Sequence, residues 1–144
     1  MAIYFANSEL SDAIGETWRI TSSFNGDTDP MVNWERADQT GGGSNYNVLT
    51  ESSGIFTFAQ TGWYHCTWWM YISGNVDSPW NEMSLQLSHN NGSNWTSYQF
   101  TQGWLTTGQT RYSSISNSHT FSIPAISGDG TRKIKFVVNQ NANS

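Results

Sequence analysis

The stretch Ile55-Phe56-Thr57-Phe58-Ala59-Gln60-Thr61-Gly62-Trp63-Tyr64-His65-Cys66-Thr67-Trp68-Trp69-Met70-Tyr71-Ile72 decides the fold class. Successive side chains of a strand point to opposite faces. Tyr64, Cys66, Trp68, Met70 and Ile72 therefore share one face, and Trp63, His65, Thr67, Trp69 and Tyr71 share the other. Both faces carry aromatic rings. A strand wetted on one side alternates apolar with polar residues, so the second face needs a cover: a neighbouring subunit, another layer of the same chain, or a ligand platform. Ala59-Gln60-Thr61-Gly62 separates this strand from a shorter one over Ile55 to Phe58.

Working outward, strand-like runs cover Ala2 to Ala6, Thr17 to Phe24, Val32 to Ala37 and Tyr46 to Thr50. Turn chemistry falls between them at Asn25-Gly26-Asp27-Thr28-Asp29-Pro30 and in the flexible loop Gly41-Gly42-Gly43-Ser44-Asn45. Downstream, Met83, Leu85 and Leu87 alternate with Glu82, Ser84, Gln86 and Ser88. Asn90-Asn91-Gly92-Ser93 then turns into Trp95 to Phe100, the pattern of a hairpin. Phe121 and Ile123, then Ile134, Phe136 and Val138, supply two further strands across Gly128-Asp129-Gly130. No stretch reads as a helix. The expectation is an all-β sandwich or barrel, one domain over residues 1–144, with residues 1–16 forming an N-terminal arm and first strand.

Composition agrees. Charged residues make up 12% of the chain and aromatic residues 15%. Ser, Thr, Asn and Gly supply most of the rest of the surface chemistry, and helix-forming Lys and Leu are scarce. With six cations against eleven acids the net charge is −5, which argues against a nucleic-acid partner. The single Cys66 makes no intrachain disulfide, so stability comes from a core or from subunits. Met1 leads directly into Ala2-Ile3-Tyr4-Phe5 with no secretion signal, and no run is long enough to span a bilayer. The expected product is soluble, made in a host cytoplasm and without a membrane partner.

The run from Leu49 to Tyr64 resembles the jelly rolls of the tumour necrosis factor and complement globular-head superfamily. Their motif Gly-x-Phe-x-x-x-x-x-Gly-x-Tyr falls on Gly54, Phe56, Gly62 and Tyr64. Ser127-Gly128-Asp129 resembles the turn into the superfamily's penultimate strand, and Trp18 to Phe24 sits where an early inner-sheet strand would be. The resemblance implies a jelly-roll β-sandwich of two antiparallel sheets. It also implies a homotrimer, with Tyr64, Cys66, Trp68 and Met70 in the protomer core and Trp63, His65, Trp69 and Tyr71 at the trimer interface. Members close with a further strand, central in the inner sheet, that does not follow here before Ser144. Either the natural end lies further on, or another segment or a subunit fills that slot.

Candidate chemistry is sparse. His65, His89 and His119 lack partners at metal-ligand spacing, so no metal and no cofactor is expected. Asp27 and Asp29 read as solvated turn acids, and Cys66 as a buried hydrophobe. Glu35, Glu51 and Glu82 are the acids near aromatic strands, without the signature of a hydrolase pair, and no catalytic residue is assigned. Small, cysteine-poor jelly rolls of this composition resemble bacteriophage virion proteins. The resemblance implies a non-enzymatic homotrimer, a capsid decoration (cement) protein or fibre head. It would bind the major capsid protein or another virion protein, with Ile3, Tyr4 and Phe5 as the capsid contact. The alternative is a glycan-binding, host-attachment module at a fibre tip, with Trp80, Trp95 and Trp104 stacking on a host surface glycan.

Overall fold

Residues 2–7, 14–37, 48–74, 78–105 and 111–141 are described by the structure, a computed structural model. Among them ten strands form and no helix: β1 (Ala2–Asn7), β2 (Ile14–Ile20), β3 (Trp34–Arg36), β4 (Leu49–Ser52), β5 (Ile55–Phe58), β6 (Gly62–Gly74), β7 (Ser78–Ser88), β8 (Thr96–Leu105), β9 (Arg111–Ile123) and β10 (Lys133–Asn141). They build two five-stranded sheets, β3-β2-β1-β6-β9 and β4-β5-β10-β7-β8, with antiparallel strand pairs. The Gly41 to Asn45 loop lies outside the described residues.

The alternation in β6 sorts as expected. Tyr64, Cys66, Trp68, Met70 and Ile72 are buried between the sheets. Phe56, from the facing sheet, is the hub of the core: its ring meets Trp18 and Trp34 edge-on, each at 5.4 Å, and Phe136 at 6.1 Å. Phe58, Tyr64 and Phe121 make a second ring cluster towards the other end. Phe56 and Tyr64 thus point at one core from opposite sheets, and the chain between them crosses from one layer to the other.

Gly54 of the motif has a specific job. Ser53 and Gly54, at φ 53° and 82°, form the two-residue connection of the β4–β5 hairpin, and Glu51 Oε1 accepts the Gly54 N–H at 2.6 Å. A Cβ on Gly54 would collide with the Met31 carbonyl oxygen and the Pro30 ring. Gly54→Ala is therefore expected to cost about 1–3 kcal/mol or more from backbone conformation alone, with the collision added, read as a lowered urea midpoint at unchanged m-value.

The N-terminal segment supplies a first strand within residues 1–16. β1 is the central strand of its sheet, with Ala2 to Asn7 paired against Arg19 to Ile14 on one side and Trp69 to Tyr64 on the other. Both backbone edges of Ile3, Tyr4 and Phe5 are consumed by these ladders. The central position of the sheet is thus taken by the first strand of the chain.

Several element bounds differ from the expected ones, β8 among them, which runs on past Phe100 to Leu105. β2 stops at Ile20, because residues 21–25 bend away to line one end of the sandwich. β3 has only three residues. β9 runs for 13 residues instead of the short Phe121–Ile123 piece. Beside it, β8 closes the open side of the sandwich without a backbone ladder between the two. Asn117 Nδ2 donates to the Phe100 carbonyl at 2.8 Å, and Gly103 lies so close to Ile115 that a Cβ there would overlap it.

Candidate functional site

The outward face of β6 and β9 is the most unusual surface. On β6 it presents Trp63, His65, Thr67, Trp69 and Tyr71; opposite them in register on β9 stand Ser122, Thr120, Ser118, Ser116 and Ser114, followed by Tyr112. Trp63 is 59% exposed, Trp69 44%, Tyr71 63% and Tyr112 64%. Single exposed rings are ordinary, but a contiguous row of them is not. Among the described residues no segment covers this row.

Local contacts hold the row in place. His65 Nδ1 lies 2.8 Å from Thr120 Oγ1, and its Nε2 lies 3.4 Å from Thr67 Oγ1. Tyr71 and Tyr112 stack diagonally across the ladder, centroids 5.5 Å apart and planes 18° from parallel. From Trp63 to Ser73 and from Tyr112 to Ser122, this face has no charged side chain, in a chain with net charge −5. Charges border it: at one end Arg132 Nη1 donates to Ser122 Oγ at 3.0 Å, and on the same sheet the exposed Arg19–Glu35 ion pair, at 2.5 Å, spans β2 and β3. Thirteen residues at about 3.3 Å each, over two strands, give a strip of roughly 43 by 10 Å.

The four residues assigned to an interface from the sequence, Trp63, His65, Trp69 and Tyr71, therefore share one open face. The hydroxyl stripe and Tyr112 were not anticipated. Of the three tryptophans named for glycan stacking, the described residues include the side chain of Trp95. Trp95 is half-buried with the Lys135 Nζ 5.0 Å from its ring centre, and the side chains of Trp80 and Trp104 lie outside the described residues.

The acids are structural. Asp29 pairs with the buried Lys135 at 2.5 Å, and Asp27 Oδ1 accepts the Gln140 N–H at 2.6 Å. Both are exposed turn acids, as expected, and both also latch the 25–31 turn onto β10. Glu82 accepts from Gln102 Nε2 and Asn139 Nδ2, and Glu51 caps the β4–β5 turn. The most buried carboxylate, Glu16, was not singled out by the sequence. It accepts the Trp18 Nε1–H and the Val48 N–H at 3.1 and 2.7 Å, and Arg36 lies 3.5 Å away. Such pairing is what permits burial of a carboxylate. Among the described residues no three His, Cys, Asp or Glu side chains cluster as metal ligands.

Burial pushes the Cys66 thiol well above its ordinary range, which keeps it protonated and poorly nucleophilic. His89 is exposed, 2.6 Å from the Tyr98 hydroxyl, and partial burial followed by the Arg132 charge lowers its pKa. The unfolded chain therefore takes up this proton first as the pH falls. The stabilising contribution is fully present above about 6.5, the unfolded value, and is lost as the pH drops through the lower folded value. Chemical denaturation of His89→Asn between pH 7.5 and 5.5 is expected to show a shallower loss of stability than the parent.

These features define a tumour-necrosis-factor-like jelly roll with an open aromatic face. No family model matches the chain, and no curated protein matches it in sequence. Among solved structures it is similar to the crystal structure of murine APRIL at pH 5.0. The TM-score is 0.51 at 11% identity, over 98% of this chain and 86% of that one. APRIL is a tumour-necrosis-factor-family jelly-roll protein, and the likeness is one of fold.

Proposed function

We propose that the chain is a non-enzymatic assembly protein, a homotrimer that packs the β6–β9 face around a threefold axis and serves in a bacteriophage virion as a capsid decoration protein or fibre head. The observation that carries the reading is the charge-free row of Trp63, Trp69 and Tyr71 beside the β9 hydroxyl stripe. Interface centres are depleted in charged residues and enriched in Trp and Tyr. The Arg19–Glu35 pair then falls on the polar rim. Three copies, and not two, follow from the jelly-roll resemblance, and the virion role from composition: few charges, abundant Ser, Thr and Asn, and no disulfide. A trimer binding a symmetric capsid surface gains avidity from individually weak contacts.

Trp69→Glu tests the assembly. The residue is 44% exposed in the protomer, so the substitution costs the isolated fold little, within about 1 kcal/mol. In a trimer it places three carboxylates in a desolvated interface. Sedimentation velocity is expected to show the variant at 16.1 kDa and the parent at three times that mass; equal masses would contradict the interface.

A further inference from the structure

At the end of the sandwich where the aromatic row finishes, the structure opens a cleft of about 370 Å³, within the usual range of small-molecule sites. Its floor is apolar, from Met70 and Ile72 of β6 with Ile20 and Phe24 packed beside them. Its walls are polar and neutral. Thr21 and Ser22 are fixed by hydrogen bonds to Asn33, the former donating to the carbonyl at 3.1 Å and the latter accepting from Nδ2 at 3.0 Å. The side chains of Ser23, Asn25, Ser73 and Gln140 also line it, and they make no hydrogen bond to other described residues. Tyr71, with its ring held by Tyr112, forms the exposed lip. The far wall is latched: Asp27 accepts the Gln140 N–H, and Thr28 and Val138 exchange backbone hydrogen bonds.

We infer that this cleft binds a neutral saccharide of one or two sugar units. A sugar ring presents an apolar C–H face and a rim of hydroxyls. The cleft offers a flat phenol ring for the first and uncommitted amide and hydroxyl groups for the second. A phosphorylated or otherwise anionic ligand would call for a cation, and none is among the described residues that line the cleft. A lipid chain would leave the free polar groups of Asn25 and Gln140 buried without partners. The site is distinct from the three tryptophans considered from sequence, and Tyr71 is the residue it shares with the proposed interface.

The test is saturation-transfer NMR on the intact protein with lactose, maltose, cellobiose and N,N′-diacetylchitobiose, each at millimolar concentration. Transfer to at least one is expected. Affinity should drop roughly tenfold or more in Tyr71→Ala and in Gln140→Ala, and persist in Tyr71→Phe, which keeps the ring. Absence of transfer from all four sugars, or transfer unchanged in both alanine variants, would overturn the site. Near-UV circular dichroism confirms that each variant is folded. Mass measured on the same samples keeps the two readings apart, because a trimer that ignores sugars defeats only the cleft, and a monomer that binds them defeats only the assembly.

Discussion

A chain lacking residues 1–13 is expected to fail to fold, showing no cooperative thermal transition and no near-UV signal from its packed aromatics. β1 is paired along its whole length on both sides, to β2 and to β6. Its removal strands the facing N–H and C=O groups of two strands and parts β2 from the long strand β6. A domain's whole stability is about 5–15 kcal/mol, and an unpaired buried backbone group costs about 1–3 kcal/mol, so a handful of such groups exhausts it. The sharper half of the prediction is rescue. Residues 1–13 moved behind residue 141 through a flexible linker of about ten residues should restore the transition, because the slot needs a strand of that sequence and not one arriving from the N-terminus. A truncated chain that melts cooperatively would show that β1 is dispensable.

Phe56→Ala is the second large effect. Its ring is fully buried and touches Trp18, Trp34 and Phe136, which join the two sheets around it. Deleting it opens a cavity among large, stiff rings that cannot collapse to fill it, so the loss should sit at about 3–5 kcal/mol, the range for buried Phe→Ala changes. For a chain of this size, that corresponds to a fall in Tm on the order of 10–20 °C. Trp18→Phe, which keeps an aromatic neighbour for Phe56, should cost less than half as much. If the two variants melted together, the hub description would be wrong.

What the sequence revealed, and what it hid, follows from the range of the interactions. The two faces of β6 were legible because alternation is local: Tyr64, Cys66 and Trp68 are buried, and Trp63, Trp69 and Tyr71 are exposed, as the spacing demanded. The Gly54–Tyr64 motif was legible because the β4–β5 turn and the inward rings are set within a dozen residues. The true length of β9 was hidden, since Ser, Asn and His alternate there with hydroxyls and no apolar period marks the strand. The place of β1 was hidden for a different reason: pairing between residues some sixty positions apart leaves no periodic trace. Glu16 was missed because its burial depends on Val48, Trp18 and Arg36 arriving together. The cleft was missed because its walls come from separate segments near residues 20–25, 70–73 and 140.

The central claim is that the open aromatic face is an interface of three copies. Multi-angle light scattering on the parent protein, over a wide concentration series, tests it most directly. The account predicts a constant mass of three times 16.1 kDa. A constant mass of 16.1 kDa at every concentration would contradict it.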